Sequence, residues 1–324
     1  MTTATTITGA ATARAVAFVA ARRDTAEQLG RSLAEHVNDP DAFTRALHAG
    51  LAELADPEYR AGQRLIAPGI AEVLGVRWPL LAAVSRGFRT ATRRDPASPL
   101  LAIADRLFRE KPLELRWFAF GLLERLVAAD PERSWQLLRR GSRETGDWIT
   151  VDTLAHPFGR GILLERYRWT ELGQLVFSPS RWERRLVGST IATIPFIDRR
   201  EGRHPDIAAR GLLLLGDLIG DADPDVQKAL AWALRSLVLV DAAAVEAFCR
   251  REAAIAQSTS DGHRAWVIRD ALPKLPPATA APLRRLLAGV RRRSGAPATS
   301  RAAATAAQFS QMDLGAPLPE PPLA

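Results

Sequence analysis

An aspartate, a proline and a second acidic residue stand together at four places in this chain. An aspartate can cap the free N–H groups of a helix, a proline fits the first helical position, and an acid in the first turn favours the helix dipole. Each copy of this motif therefore predicts the start of an α-helix. The four copies are Asp39-Pro40-Asp41, Asp56-Pro57-Glu58, Asp130-Pro131-Glu132 and Asp223-Pro224-Asp225.

The segments between these motifs have the periodicity of amphipathic helices. Apolar residues recur at helical spacing, alanine, leucine and arginine dominate, and alternating β-branched runs are scarce. Short polar connections predict that neighbouring helices are antiparallel. We therefore expect an all-α fold with helices in FTRALHAGLAEL, PLLAIADRLF, LRWFAFGLLERLV and DVQKALAWALRSLVLV.

The spacing of three aromatic or basic residues indicates a repeat. Trp148 and Arg185 lie 37 residues apart, and Arg185 and Trp232 lie 47 residues apart. These separations resemble the period of roughly 40 to 47 residues in HEAT-type helical pairs. The sequence therefore predicts an α-solenoid of HEAT-like helical repeats, a fold that presents a concave face to extended ligands.

The positive charge of the chain is concentrated in its last fifty residues or so. The net charge is +8, but seven basic residues and no acid lie between Ala271 and Met312, and residues 1–270 carry only about +3. A DNA-binding surface in the body of the chain must then depend on how its arginines are arranged. No sustained apolar face follows Pro276, so we expect a basic, largely disordered tail over residues 277–324.

Residue usage argues against several classes of protein. The single cysteine, Cys249, rules out an internal disulfide and a cysteine-based metal cluster. The histidines show no paired metal spacing and no glycine-rich loop follows a strand, so neither a metal nor a nucleotide cofactor is expected. No apolar run approaches the roughly 20 residues that span a bilayer, and Arg14 interrupts the apolar start of the chain. We expect a cytoplasmic protein with no membrane partner.

One tryptophan lies off the packing face of its predicted helix. On a helical wheel Trp232 lies opposite the apolar stripe, with Lys228 and Arg235 as its surface neighbours. An aromatic side chain between cations suits a nucleic-acid groove, where it contacts a sugar or base between phosphates. The alternative is a tryptophan that covers a seam between repeats. The stripe comprises Val226, Ala229, Leu230, Ala233, Leu234 and Leu237.

An arginine is predicted to project from the helix that begins near Ser180. Arg185 lies away from the packing face and over small residues, which would let a bulky anion approach the helix closely. A guanidinium can bind a phosphate with paired donors. The alternative is a solvated charge paired with Glu183. The packing face comprises Leu186, Val187, Thr190, Ile191 and Ile194, and the small residues are Gly188, Ser189 and Ala192.

The stretch TGDWITVDTL places an aromatic residue and an acid on one side of a helix. If Asp147 caps this helix, Trp148 and Asp152 are one turn apart. No lysine or arginine lies three or four residues from Asp152 in either direction. The carboxylate could stabilise positive charge that develops on a ligand. Alternatively, it is a solvated residue or the cap of a neighbouring loop.

Together these residues resemble the AlkD-like DNA alkylation repair family, the HEAT-like-repeat alkylpurine DNA glycosylases. The resemblance implies a glycosylase domain over residues 43–276, an N-terminal helical extension over 1–42 and the basic tail over 277–324. It extends from about Phe43 to Pro276 and includes FTRALHAGLAELADPEYRAG, VLGV, PLELRWFAFGLL, DWITVD, WERRLVGS and VQKALAWALR.

The resemblance assigns roles to the residues that the helical wheels place off the packing faces. It implies that Asp152 is the catalytic aspartate, that Trp148 and Trp232 contact the sugar, and that Arg185 binds a phosphate. Lys228 and Arg235 are expected to contact DNA beside Trp232. The chain departs from the family pattern at two positions. Asp147 stands where the family often has a tryptophan, and Ile66 stands where the family has an aromatic residue in an early helix.

The function implied by the resemblance is hydrolysis of the N-glycosidic bond of a cationic N3- or N7-alkylated purine in double-stranded DNA. The leaving base already carries positive charge and needs no general acid, and the lesion stays stacked in the duplex. We expect a nucleoid-associated monomer that acts in base excision repair. The alternatives are a non-catalytic paralogue that binds branched or distorted DNA and a protein-binding HEAT scaffold. Small methyl lesions and bulky adducts are both possible substrates.

Overall fold

The structure is a computed structural model that describes residues 2–66 and 72–310. Within this range it describes the side chains of all residues except 2–8, 10, 66, 309 and 310. The described residues form α-helices and short 3-10 helices, and no β-strand occurs among them. The predicted all-α fold is therefore confirmed. The departure at Ile66 falls on a side chain outside the described set.

The chain divides into two compact units, Met1–Leu164 and Glu165–Ala324. In unit 1, α4 packs against α6 and α6 against α8, whereas α5 packs against α7. Packing of each helix against the second helix after it in the chain is typical of a helical repeat. The helices are α1 (Thr2–Ser32), α2 (Pro40–Glu53), α3 (Pro57–Ile66), α4 (Trp78–Ala91), α5 (Ala97–Leu107), α6 (Leu113–Leu126), α7 (Pro131–Arg143) and α8 (Trp148–Leu164).

Unit 2 repeats this arrangement. Here α10 packs against α12 and α12 against α14, whereas α11 contacts α13 and α13 contacts α15. The helical-repeat prediction is thus confirmed in both units. The helices are α9 (Arg168–Gln174), α10 (Arg181–Ile197), α11 (Pro205–Leu218), α12 (Pro224–Leu237), α13 (Ala242–Thr259), α14 (Gly262–Ala271), α15 (Pro277–Leu286) and α16 (Arg301–Ser310). The 3-10 helices of the chain are Leu33–His36, Leu175–Phe177, Glu201–Arg203 and Leu272–Lys274.

All four aspartate-proline motifs begin a helix, as predicted. The prolines are the first residues of α2, α3, α7 and α12. The carboxylate of each preceding aspartate accepts hydrogen bonds from backbone N–H groups of the first turn. These groups have no partner within the helix, so the aspartates fix where the four helices start.

The predicted N-terminal extension, residues 1–42, is part of unit 1 because α1 packs along α4. Two glycines permit the close contact of the backbones. A Cβ at Gly30 would lie 2.0 Å from the carbonyl oxygen of Val84, and one at Gly87 would lie 2.1 Å from that of Glu27. A larger residue at either position would force the helices apart.

The structure differs from the predicted disordered tail over residues 277–310. This part of the chain forms α15, a connection and α16, with Leu283, Leu287 and Ala302 buried. The apolar residues are too few to show a helical stripe in the sequence, yet α15 packs against α13, and α16 packs against α11 and the 3-10 helix Leu175–Phe177. Residues 311–324 lie outside the described set.

The single cysteine is part of the core of unit 2. Cys249 is buried in α13, and burial, with smaller effects of Glu252 and Glu246, raises the pKa of its thiol to about 12. The thiol is therefore protonated and shielded near neutral pH. None of the described helices has both the length and the apolar character required to cross a membrane.

Candidate functional site

Asp147 determines where α8 begins. Its Oδ1 accepts a hydrogen bond of 2.9 Å from the backbone N–H of Thr150, and its Oδ2 accepts one of 2.7 Å from the Thr150 hydroxyl. The predicted N-cap is therefore confirmed. Where the family often has tryptophan, this chain has a buried residue that fixes the first turn of the helix.

Trp148 and Asp152 are half-buried and lie one turn apart on α8. The opposite face of the helix packs into the core, with Val151, Leu154 and Phe158 fully buried. Phe158 contacts the buried Trp135 of α7, with ring centroids 4.8 Å apart. This aromatic contact fixes α8 against α7 and thereby the positions from which the two candidate residues extend.

An aromatic cleft lies in unit 1 beside these residues. Its volume is about 290 Å³, and Trp148 forms part of its wall. Trp78 is 55% exposed and meets Trp117 edge to face, with ring centroids 6.3 Å apart. The remaining lining residues are Tyr59, Gln63, Ile149 and Thr153.

Three rings of the cleft, those of Tyr59, Trp78 and Trp117, were not predicted from the sequence to have a role. These residues lie on α3, α4 and α6, and their separations along the chain have no helical period. Only packing of these helices with α8 brings the aromatic rings together. The signal available in the sequence was the position of Trp78, which precedes a proline at a helix start and therefore lies at an exposed end of its helix.

A buried carboxylate fixes the turn that precedes α4, the helix that carries Trp78 of the cleft. Glu114 of α6 is fully buried, and its oxygens accept hydrogen bonds from the backbone N–H groups of Leu74, Gly75 and Val76 at 2.7 to 3.1 Å. Gly75 has φ +93°, and a Cβ there would lie 2.5 Å from that of Arg60. The VLGV segment is therefore a clamped turn that leads directly into α4 and Trp78.

In unit 2, α12 buries the apolar stripe that the helical wheel predicts. The six residues of the apolar stripe are all buried, and Trp232 is half-buried on the other side of the helix. Lys228 is exposed and lies 3.7 Å from the Asp225 carboxylate. Arg235 forms an ion pair with the Asp270 carboxylate and donates a hydrogen bond of 2.9 Å to the Asp270 carbonyl. The Asp270 contact was not foreseen, because this residue lies 35 positions further along the chain.

Arg185 is not a projecting side chain, and this part of the prediction is wrong. It is only 5% exposed, and its Nη1 donates a hydrogen bond of 2.6 Å to the backbone carbonyl of Asp225 on α12. The helical wheel gave the correct packing face of α10 but could not show that other sides of the helix are buried too. Arg185 and Lys228 both contact Asp225, so the structure brings these two cations together at the start of α12.

The small residues of α10 serve helix packing rather than access for an anion. Gly188, Ser189 and Ala192 are all buried. A Cβ at Gly188 would lie 2.8 Å from the carbonyl carbon of Ala229 on α12. The predicted open approach over these residues is therefore wrong, because a close crossing of α10 and α12 occupies it.

The candidate residues are divided between the two units. Trp148 and Asp152 belong to unit 1, whereas Arg185, Lys228, Trp232 and Arg235 belong to unit 2. Within the part of the chain that the structure describes, no group of three or more His, Cys, Asp or Glu residues has a metal-binding arrangement. The candidate residues themselves offer a carboxylate, two indole rings, two guanidinium groups and an ammonium group.

Comparison with known proteins identifies the family. The sequence model of the DNA alkylation repair enzyme family matches residues 47–275, which is more than half of the chain. The chain therefore belongs to the DNA alkylation repair enzyme family, and it has a role in the repair of alkylated DNA that implies DNA binding.

A solved structure supports the fold. The chain is similar to a structure described as a predicted DNA alkylation repair enzyme from Enterococcus faecalis, with a TM-score of 0.51 and 17% sequence identity. The similarity covers 61% of this chain and 89% of that chain. At this identity it shows a shared helical-repeat fold. No match was found among curated proteins.

Proposed function

We propose that this protein is a DNA glycosylase that hydrolyses the N-glycosidic bond of cationic N3- or N7-alkylated purines in duplex DNA. The observation that carries the proposal is the position of Asp152, half-buried on the helix whose Trp148, Ile149 and Thr153 line the aromatic cleft. Membership of the DNA alkylation repair family supports alkylated DNA as the substrate.

The chemistry requires stabilisation of a cationic sugar. When the bond between C1′ and the purine nitrogen breaks, its electron pair moves to the base and neutralises the positive charge there. The base leaves without being protonated, and positive charge develops on the deoxyribose. Asp152 stabilises this charge and orients a water whose oxygen bonds to C1′ while a proton is released.

Aromatic residues would contact the DNA in each unit. In the proposal Trp148 contacts the deoxyribose of the lesion beside Asp152 on α8, Trp232 contacts the DNA from α12, and the lesion remains stacked in the duplex. An aromatic surface beside a developing cation adds a favourable electrostatic contact to the packing. No base-binding pocket is then required, and the protein acts as a monomer.

The proposal is tested by incubating the protein with methylated duplex DNA and measuring released 7-methylguanine and 3-methyladenine by chromatography. We expect free bases to appear, together with abasic sites in equal number. If no base is released from any cationic adduct while the protein binds DNA junctions tightly, the protein is a non-catalytic DNA-binding paralogue. DNA affinity that does not depend on salt would instead indicate a protein-binding scaffold.

In the proposal the Arg185 guanidinium leaves the Asp225 carbonyl, which it binds in the structure, to bind a phosphate. Arg185→Ala is then expected to weaken DNA binding about tenfold or more and to slow base release, because a guanidinium makes charge-assisted hydrogen bonds to a phosphate. Fluorescence anisotropy with a lesion-containing duplex measures the affinity. Arg185→Lys should restore only part of it, since a lysine lacks paired donors. Arg200→Ala removes the same charge from a side chain that is 93% exposed and serves as the control.

Thermal unfolding separates the two possible roles of Arg185. If Arg185→Ala lowers the melting temperature but leaves DNA affinity unchanged, the residue only holds the start of α12 through the Asp225 carbonyl. Loss of affinity in a variant that unfolds at a similar temperature to the wild type supports the phosphate contact.

Trp78→Ala is expected to reduce affinity for the lesion duplex about tenfold, because an aromatic ring that packs against a deoxyribose buries apolar surface worth roughly 1 to 2 kcal/mol. Trp78 is the most exposed ring of the aromatic cleft, so its loss should disturb the core little. Phe196→Ala removes a ring that is similarly exposed, at 54%, outside the cleft. Equal effects of the two substitutions would show that the cleft does not contact DNA.

A further inference from the structure

Residues 288–300 connect α15 with α16 in unit 2, and we call them the arginine strap. The strap has no helix, yet it contains the run Arg291-Arg292-Arg293. It lies beyond residues 47–275, the range that matches the family, so the family offers no role for it. A basic connection of this kind would act as a mobile tether if nothing held it.

The backbone of the strap is anchored to two glycines. The N–H of Thr299 donates a hydrogen bond of 2.9 Å to the carbonyl of Gly220. A Cβ at Gly262, the first residue of α14, would lie 2.2 Å from the carbonyl oxygen of Arg291. Only a glycine leaves room for this contact, so the strap has one defined path across the start of α14.

Side chains anchor the strap at four further points. His263 contacts the carbonyl of Ala296 through Nε2 at 3.1 Å. The hydroxyl of Thr299 donates to the Asp261 carboxylate. Arg269 donates a hydrogen bond of 2.7 Å from Nη1 to the carbonyl of Val290. The fourth anchor is Arg292, whose Nη1 donates a hydrogen bond of 2.8 Å to Oε1 of Gln227 on α12.

The guanidinium of Arg292 also lies over the ring of Trp266, 5.0 Å from its centroid. Together with the bond to Gln227, this cation–π contact ties one arginine of the strap to both α12 and α14. Arg291 and Arg293 flank Arg292, and all three residues are exposed. Arg291 contributes its backbone carbonyl to the contact with Gly262.

The anchored strap concentrates positive charge. The strap contains three arginines and no acidic residue, whereas Arg301, the first residue of α16, pairs with the Asp217 carboxylate at 3.3 Å. Burial lowers the pKa of Arg269, and the repulsion of Arg291 and Arg292 lowers it further. The proximity of these cations creates a region of positive potential that attracts an anionic polymer.

The strap borders α12, the helix that carries three candidate DNA contacts, Lys228, Trp232 and Arg235. Gln227, which binds Arg292, directly precedes Lys228 and lies five residues before Trp232. The fixed arginines therefore extend the positive charge of α12 toward α14. The anchors hold the backbone of the thirteen strap residues in one conformation. The strap has therefore already lost the conformational entropy that a flexible tail would lose on binding DNA.

We propose that the arginine strap is a fixed phosphate-binding element, in which Arg291 and Arg293 bind the backbone of the DNA duplex and Arg292 holds them in place. This inference rests on the proposed function, since it assigns a further contact to the same DNA. The strap then sets where the duplex lies along α12, in addition to increasing the overall affinity.

The double variant Arg291→Ala, Arg293→Ala tests the phosphate contacts. We expect affinity for a duplex to fall at least about tenfold. The slope of log affinity against log salt should become shallower by about 1.8, since each phosphate contact contributes roughly 0.9. The control Arg199→Ala, Arg200→Ala removes two exposed arginines from the same unit. Equal losses for both variants would overturn the proposal, because charge alone would then explain the binding.

A second variant tests whether the strap must be fixed. Gly262→Ala retains every charge, but its Cβ collides with the Arg291 carbonyl and should displace the strap. A fixed element predicts a loss of DNA affinity of about threefold or more, and faster tryptic cleavage after the three arginines. A tether predicts unchanged affinity despite the faster cleavage, and this result would overturn the proposal. Unaltered cleavage together with unaltered affinity would also overturn it, since the contact with Gly262 would then not hold the strap.

The failure of this inference can be told from the failure of the proposed function. The wild-type protein tests the proposed function, through base release from methylated duplex. The strap variants test the inference, through affinity and salt slope measured with an undamaged duplex. Wild-type protein that releases bases while the strap variants bind like the control would overturn the inference alone.

Discussion

Asp152→Asn is expected to reduce base release from a duplex with 7-methylguanine by about 10² to 10³, while DNA affinity stays close to that of the wild type. Asparagine has nearly the same shape as aspartate but cannot neutralise a developing cation, and removal of one such electrostatic group typically costs this much in rate. Single-turnover base release at saturating protein measures the rate of the chemical step.

The control for this substitution is Asp206→Asn in α11, which removes a carboxylate that is 41% exposed and paired with Arg210. The Asp206→Asn variant should release bases at the rate of the wild type. If the Asp152→Asn variant also releases bases at the wild-type rate, the charge of Asp152 has no role in bond cleavage. If it loses affinity and rate in the same proportion, the residue acts in binding rather than in stabilising the transition state.

Glu114→Ala is expected to lower the free energy of unfolding by about 3 kcal/mol or more. The substitution leaves three buried N–H groups of the VLGV turn without an acceptor, and each such group costs roughly 1 to 3 kcal/mol. The total stability of a domain is only about 5 to 15 kcal/mol, so this is a large fraction of it. Denaturant unfolding followed by circular dichroism measures the change.

Two further variants show whether the hydrogen bonds cause the loss. Glu114→Gln retains one carbonyl oxygen as an acceptor and should be destabilised less than Glu114→Ala. Glu124→Ala shortens a partly exposed glutamate on the same helix and should change stability by about 0.5 kcal/mol or less. If Glu114→Ala has the same unfolding midpoint as the wild type, water molecules accept the hydrogen bonds of the three N–H groups of the turn.

Features governed by local chemistry were predictable from the sequence. The aspartate caps, the Asp147 cap of α8 and the buried stripe of α12 depend on residues within a turn or two of one another. The same local rules place Trp148 and Asp152 on one side of α8. The all-α helical-repeat fold follows from these elements together with the family resemblance, and both are confirmed. The roles of the candidate residues and the concave binding face stay predictions.

Features that arise from contacts between distant segments were not predictable. A helical wheel shows the most apolar face of α10 but not that Gly188 allows α12 to cover a second face, which buries Arg185. The aromatic cleft combines residues from four helices, and no regular spacing along the chain links the residues of one helix to those of the next. The order of residues 277–310 depends on anchors such as Gly220 and Gly262, which precede them in the chain by tens of residues.

The shielded thiol of Cys249 makes this protein well suited to site-specific labelling. A maleimide dye requires an accessible thiolate, and the single native cysteine is buried with a pKa of about 12. New surface cysteines can therefore be labelled without first removing the native one. A donor dye in unit 1 and an acceptor in unit 2 would report by energy transfer how the distance between the two units responds when lesion-containing DNA is added.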